Sequence, residues 1–319
     1  SLSFQQIIMA DAGPYPFCEN NVVCDAGVWW CSTPRFLWTT AAFVGVWFLL
    51  FYFAAFVIYP QLAECFKRDY PSKYDNEETS YWFANHVVST IHAVIITAMV
   101  IPSWIGLISA PPQAQFSQPT PAIEAYLWEN AVSADTAHVF LTYICFDFIA
   151  GFLHGLHDVS NAVHHIVFIL FTLLVMYNCF FALGAVTLLS MEMSTIFLNW
   201  YSFWRNRLDK SALSVHASMV IFGCLFFLCR IVGLFALILY FGKLVWYGEL
   251  EFAGTPSWHL AIIFIGLIAA FGLQLFWLKG IVAKILKGRS DRGSRELSRG
   301  EESNEESDEE ESEEQEDED

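Results

Sequence analysis

The sequence predicts an all-α polytopic membrane protein with about seven helical spans around a central cavity. Hydrophobic residues make up 55% of the 319 residues and charged residues only 15%, and the mean hydropathy is +0.44. A soluble domain of this length has too small an interior to hide so much apolar surface. Several apolar stretches also approach the roughly 20 residues that a helix needs to cross a bilayer core.

We place one span on each of the seven longest apolar stretches, since no hydrophilic domain separates them. Their approximate ranges are 36–59, 82–109, 135–153, 162–178, 180–198, 215–241 and 257–279. The apolar stretch 162–198 is counted as two spans, because one helix of that length would measure about 55 Å. Tyr177-Asn178 supplies the break between them.

The spans divide the chain into four regions. Residues 1–35 form a lumenal or extracellular head, residues 36–79 the first span and a cytosolic loop, residues 80–288 the main membrane domain, and residues 289–319 a tail. The net charge of −17 comes mostly from that tail, where residues 301–319 contain fourteen carboxylates and no basic residue. Such a run predicts a disordered acidic segment that is available to protein partners.

The basic residues predict the orientation. They occur after the first span, in the loop 199–214 and after the last span, whereas the loop 110–133 has no Lys or Arg. By the positive-inside rule the N-terminus is lumenal or outside and the C-terminus is cytosolic. Oxidation is then available to three head cysteines, and one disulfide among them is expected, with its pairing left open. They are Cys18, Cys24 and Cys31. Nucleic acid is not a predicted partner, because no basic stripe exists outside short loops.

Ionisable residues inside the spans point to function. Each costs about 2.5–3.5 kcal/mol at mid-helix and usually faces a partner or a cavity. They are His92, Asp147, His164, His165, Glu192 and Arg230. On a helix that runs through His165, steps of three to four residues also place Asn161 on the same side. We therefore predict that imidazoles and carboxylates from separate spans converge.

This cluster predicts acid–base chemistry on a lipid. His164 or His165 is the candidate general base for an amine or hydroxyl nucleophile, and Asp147 orients or charge-balances an imidazole. Substrate-binding roles are assigned to the remaining polar residues. They are His92, Glu192, Arg230 and Asn161. Arg230 is expected to pair with Asp147 or Glu192 and to neutralise a substrate carboxylate or phosphate.

Two metal chemistries are disfavoured by the sequence. A di-iron hydroxylase centre needs about eight histidines in HxxxH and HxxHH boxes, and no HxxHH box is present. A seven-span zinc hydrolase would use three histidines and an Asp. His92 and Asp147 supply part of that set, but the late HxxxH pair of such proteins is missing. The sequence thus predicts no metal and no cofactor, with acyl-CoA as a candidate co-substrate.

A series of motifs resembles the TLC-domain family of membrane proteins. In chain order they are SxxHA at Ser89, His92 and Ala93, Asp147 in the third span, HHIVFIL from His164, ExSTxFLN from Glu192, FFLxRI containing Arg230, and the closing FWLKGIVAKILK. The resemblance covers residues 80–288 and implies a helical membrane fold of about six core spans around a cavity.

The same resemblance implies a role in membrane lipid composition. Ceramide synthases share the His164-His165 pair, but in them a His-Asp and a further Asp follow about 25–30 residues later, where this chain has Met191 to Thr195. The chain is therefore closer to the non-synthase TLC-domain proteins. We expect an endoplasmic reticulum or other endomembrane protein in sphingolipid or phospholipid homeostasis, with membrane lipids as partners and ceramide-synthase-like acyl transfer as its candidate activity. The alternative is a non-enzymatic lipid sensor, cargo receptor or complex subunit.

Overall fold

The computed structural model confirms the all-α class and the number of spans. It describes residues 33–62, 77–116, 127–178, 181–204, 213–248, 258 and 260–282. Within these ranges every regular element is a helix, and seven helices are long and apolar enough to cross a membrane. They are Arg35–Leu62, Ser80–Ile108, Val132–Leu153, Val159–Met176, Ala182–Trp204, Leu213–Trp246 and Leu260–Val282.

Some predictions concern other parts of the chain. The disulfide among Cys18, Cys24 and Cys31, the basic loops that set the orientation, and the acidic tail 289–319 all lie outside the described residues. The central cavity also stays a prediction.

We number the helices in chain order. They are α1 (Thr33–Phe53, continuing through a π-helical segment Ala54–Ile58), α2 (Glu77–Ile108), α3 (Pro112–Phe116), α4 (Leu127–Leu153), α5 (Val159–Asn178), α6 (Ala182–Leu189), α7 (Glu192–Trp204), α8 (Leu213–Leu225, continuing through a π-helical segment Phe226–Gly233), α9 (Leu234–Trp246) and α10 (Leu260–Val282). Two compact units divide at Ile268, and the second begins at Ala269 within α10.

Helix α4 is the most buried of the spans. It packs against α1, α2, α5 and α6, and 67% of its apolar window is buried, against 17% for α10. Its contact with α1 and α2 is a cluster of buried aromatic and small residues that includes Trp47, Phe51, Phe83 and Phe146. A polar residue on α4 therefore faces protein rather than lipid, and it needs a protein partner.

The reversal between α4 and α5 is short because both helix ends are capped locally. Gly155 adopts φ +63°, and the Leu156 N–H donates to the Gly151 carbonyl at 2.9 Å, as in a Schellman C-cap. The Asp158 side chain then accepts from the Asn161 N–H at 2.8 Å, which is an N-cap at the start of α5. Together the two caps bring residue 157 back over the last turns of α4.

The fifth span differs from the single helix predicted over 180–198. It is interrupted between α6 and α7, and α7 continues to Trp204. At the joint the Met191 N–H donates to Leu188 O and the Met193 N–H to Ser190 O, both at 3.1 Å. The Ser190 hydroxyl also donates to Thr187 O at 2.6 Å, and such side-chain bonds compete with the α-helical backbone pattern.

The aromatic cluster between α1, α2 and α4 gives a test of this packing. Phe51→Ala empties a fully buried position, so we expect a loss on the order of 3–5 kcal/mol of unfolding free energy. Phe53→Ala is the control, since Phe53 lies on the same helix and is 54% exposed. Thermal unfolding in detergent measures both variants, and equal losses would contradict the described packing.

Candidate functional site

Within the described part of the chain, Asp147 of α4 and His165 of α5 form the closest polar contact between two spans. Both side chains are buried, and His165 Nε2 lies 2.7 Å from Asp147 Oδ2. The Nδ1–H on the other side of the ring donates to the Asn161 carbonyl at 2.6 Å. Because both ring nitrogens are engaged, the orientation of His165 is fixed from two sides.

His157 completes this arrangement, although it was not among the predicted site residues. Its Nε2 donates to the Asp147 carbonyl at 3.0 Å and lies 3.5 Å from Asp147 Oδ2. The ring centroids of His157 and His165 are 4.6 Å apart. We call Asp147, His157 and His165 the reversal cluster, because the chain reversal between α4 and α5 assembles it.

Gly151 makes room for His157. It lies one turn after Asp147 on α4, and a Cβ at this position would be 1.7 Å from His157 Cδ2. The ring therefore lies directly on the helix backbone, where only glycine leaves enough space. In the sequence, a glycine one turn after the intramembrane Asp147 is the signal that could have indicated a close approach.

The two histidines of the reversal lie outside the spans, and their surroundings differ. Burial opposes the charged form of His157, but hydrogen bonds to Asp147 and its negative charge outweigh burial and raise the pKa of His157. His154 stacks on Tyr81 with ring centroids 4.0 Å apart, and burial lowers its pKa. Asp147 therefore raises the pKa of His157, whereas His154, three residues earlier, contacts aromatic residues, including the Tyr52 hydroxyl at 3.5 Å from its Nε2.

His164 points to a different side of α5, as expected for neighbouring helix positions about 100° apart. Its ring lies edge-on to His165, with centroids 5.6 Å apart and an interplanar angle of 86°. It also packs against Phe168, at 4.4 Å between centroids. His164 is half-buried, so the predicted pair divides into one fully engaged ring and one more accessible ring.

His92 of α2 lies beside a second carboxylate. It is fully buried and stacks on Tyr143 of α4, with ring centroids 3.6 Å apart. Its Nδ1 is 3.9 Å from Glu192 Oε2 of α7, and neither ring nitrogen has a hydrogen-bond partner among the described residues. A buried imidazole without such a partner is unusual, since nearly all buried polar groups are hydrogen-bonded.

Arg230 braces the joint between α6 and α7. It projects from the π-helical segment after α8, and its Nε donates to Ser194 Oγ at 3.0 Å. Its Nη2 donates to Met191 O at 3.0 Å and to Thr195 Oγ1 at 3.1 Å. Arg230 was predicted to pair with Asp147 or Glu192. Instead it donates hydrogen bonds to residues before and after Glu192 in the chain, and its charge attracts the Glu192 carboxylate.

A further contact ties α7 to α2. The Asn199 amide donates to Ser89 Oγ at 3.0 Å and to Thr90 Oγ1 at 3.1 Å. It links the SxxHA motif to the end of the ExSTxFLN motif, so these two patterns meet in space. Hydrogen bonds of this kind are a common way of holding membrane helices together.

These groups form one electrostatically connected region. Asp147 interacts with Tyr143 and Glu192, and Arg230 interacts with His164. The structure therefore brings the predicted residues of α2, α4, α5, α7 and the second π-helical segment together, while Asn161 takes part through its backbone. The arrangement can hold an imidazole in a fixed orientation against a carboxylate and can place a second imidazole beside it. The catalytic and substrate-binding roles stay predictions.

Comparison with known proteins gives one family match. A family model described as the TLC domain matches residues 82–283. That range is more than half of the chain and contains all six ionisable residues that were predicted within the spans. No curated protein matches the chain, and no solved structure matches it.

The clearance at Gly151 generates a test. Gly151→Ala forces the His157 ring away from α4, so we expect a loss of about 1–3 kcal/mol of unfolding free energy from overpacking. Gly223→Ala in α8 is the matched control, because nothing lies within 4 Å of the Cβ that it adds. We expect Gly223→Ala to be neutral or slightly stabilising.

The cause of that loss can be isolated with a second substitution. In a His157→Ala background the obstructing ring is gone, so Gly151→Ala should no longer destabilise the protein. Chemical unfolding of the four proteins measures this double-mutant cycle. An equal effect of Gly151→Ala in both backgrounds would show that His157 does not lie against Gly151.

Proposed function

The chain belongs to the TLC-domain family, and from that premise we propose that it acts in membrane lipid homeostasis by transferring an acyl group to a lipid. The observation that carries the proposal is the buried Asp147–His165 contact of 2.7 Å, with His164 beside it. A protein that needed only helix packing could use serine or asparagine at lower cost than ionisable groups. The acceptor is the amine or hydroxyl of a sphingoid base or glycerolipid, and acyl-CoA is the donor.

His164 is the general base in this proposal. Both ring nitrogens of His165 are engaged, so His165 and Asp147 act by positioning the first turns of α5. His164 takes the proton from the acceptor, which attacks the thioester carbonyl. The C–S bond then breaks, and the thiolate of CoA leaves with the proton from His164. General-base assistance of this kind contributes about 10²–10⁴-fold to a rate.

The orientation and the location are part of the proposal. With a lumenal N-terminus and a cytosolic C-terminus in the endoplasmic reticulum or a related membrane, the reversal between α4 and α5 faces the cytosol. Acyl-CoA is water-soluble and would reach the reversal cluster from that side, while the lipid acceptor would arrive from within the bilayer.

A second candidate function is non-enzymatic. His165 and Arg230 form hydrogen bonds with other groups of the protein. Because these bonds hold both side chains in place, they favour a rigid lipid-binding region over a reactive one. In that case the chain is a lipid sensor, cargo receptor or subunit of a membrane complex. Its acidic tail of residues 289–319 would recruit the partners.

An acyl-transfer assay separates the two functions. Purified protein in nanodiscs is given isotope-labelled acyl-CoA with sphingoid-base or glycerolipid acceptors, and product is measured by mass spectrometry. We expect His164→Ala to lower the rate by roughly 10²-fold or more. His216→Ala, which changes an exposed histidine on α8, should have no effect.

Two results would contradict the acyl-transfer proposal. One is a rate that His164→Ala leaves unchanged. The other is a folded wild-type protein without activity on any acceptor, combined with protein partners that are lost when residues 290–319 are deleted. That second result would support the receptor or subunit.

The orientation has its own test. Epitope tags at the two termini, followed by protease treatment of sealed microsomes, should leave an N-terminal tag protected and remove a C-terminal tag. The opposite pattern would place the reversal between α4 and α5 on the lumenal side and would remove the proposed route of acyl-CoA.

A further inference from the structure

The contact between His165 and Asp147 in the reversal cluster requires a cation between the two side chains. Because His165 Nδ1 is 2.6 Å from the Asn161 carbonyl, this nitrogen carries a hydrogen. In the neutral ring, Nε2 then presents a lone pair, and it faces the carboxylate oxygen Oδ2 of Asp147 at 2.7 Å. Two electron-rich atoms at this distance repel unless a cation lies between them. That cation is either a proton or a metal ion.

Two further observations favour a metal ion. The Nε2 of His157 approaches the same carboxylate, and one ligand atom from each of Asp147, His157 and His165 lies within 4.8 Å of the others. On binding a metal ion, this Nε2 releases the hydrogen that it otherwise donates to the Asp147 carbonyl. The second carboxylate oxygen, Asp147 Oδ1, is buried and has no hydrogen-bond partner within the described ranges. A proton shared with His165 leaves Oδ1 without a partner, whereas a metal ion can be bound by either or both oxygens.

We propose that Asp147, His157 and His165 bind a divalent transition-metal ion, with Zn²⁺ the best match to the donor set. Two imidazole nitrogens and one carboxylate oxygen, with a fourth position left open, are typical of catalytic zinc sites. Ligand atoms about 2.0–2.1 Å from a tetrahedral Zn²⁺ are roughly 3.3 Å apart. The separations of 2.7 Å and 3.5 Å from Asp147 Oδ2 lie on either side of that value. Imidazole ligands disfavour Mg²⁺ and Ca²⁺, which prefer oxygen.

The surroundings of the cluster have the features that hold metal ligands in place. The bond from His165 Nδ1 to the Asn161 carbonyl fixes the tautomer that directs Nε2 at the metal, as the outer partners of zinc-bound histidines do. Gly151 allows the His157 ring to approach, and the Asp158 cap sets the start of α5. The three ligands are therefore oriented by the fold itself.

This site was not predicted from the sequence for a structural reason. The zinc hydrolase considered there would use His92, but His92 is stacked on Tyr143 and lies beside Glu192. The third ligand is instead His157, which follows α4 in the loop and reaches the cluster only because the chain reverses there. The proposal does not depend on acyl transfer, because metal content is measured without substrate.

Elemental analysis of the full-length, tag-free protein in detergent tests the proposal. After loading with Zn²⁺ and dialysis, we expect about one equivalent of zinc per chain. Asp147→Asn and His157→Ala should each reduce this at least fivefold. His154→Ala is the matched control, since it removes an imidazole from the same reversal but outside the cluster, and it should retain the metal. Unchanged helical circular dichroism and elution volume establish that the variants fold.

Each further outcome also bears on the proposal. Wild-type protein at background zinc, or full zinc in both Asp147→Asn and His157→Ala, would overturn it. Iron at one equivalent with the same dependence on the variants would support the site and reject zinc as its metal. Titration of wild-type protein with Co²⁺ needs no variant: the visible absorption of four- or five-coordinate cobalt, abolished by Zn²⁺, supports the site, and its absence opposes it.

Discussion

A carboxylate in the interior of a membrane protein must be matched by hydrogen-bond donors or positive charge, and this constraint at Asp147 organises the surrounding structure. The partners come from one short segment, since His157 lies in the reversal and His165 on the second turn of α5. Three residues of this connection support the contact. Gly151 leaves space for the His157 ring, Gly155 adopts the positive φ of the turn, and Asp158 caps the start of α5. The connection between α4 and α5 is thus part of the site as well as a link between spans.

The polar groups around Glu192 have a different set of hydrogen-bond partners. Arg230 donates hydrogen bonds to Met191 O at the joint between α6 and α7 and to the hydroxyl groups of Ser194 and Thr195, which follow Glu192 on α7. Among the described residues His92 contacts the rings of Trp47, Phe140 and Tyr143 and has a carboxylate 3.9 Å away, but its ring nitrogens make no hydrogen bond. Under the proposed function, a polar atom of a bound lipid would be most favourable beside His92, because that imidazole has the most to gain from a hydrogen bond.

Much of the fold could be predicted from the sequence, because a membrane span needs a fixed length of apolar residues. The seven spans, and the division of the stretch 162–198 into two, follow from that length alone. The interruption between α6 and α7 could not be predicted in this way, since it depends on a hydrogen bond of Ser190 that hydropathy does not register.

Part of the site could likewise be predicted from the sequence, and part could not. Ionisable residues in separate spans are expected to find one another, so the approach of Asp147 and His165 and that of His92 and Glu192 follow from the cost of burying charge. His157 escaped prediction because it lies in a loop, where helical spacing says nothing about direction. The partners of Arg230 include a backbone carbonyl released at a helix joint, and they become known only from the tertiary structure.

Asp147 and His165 act as one unit, and a double-mutant cycle between them measures that coupling. Unfolding free energies would be measured for wild type, Asp147→Asn, His165→Gln and the double variant in one detergent. We expect a coupling energy above about 1 kcal/mol, because each single substitution leaves the other buried group without its partner. Additive effects of the two substitutions would show that the pair does not organise this region.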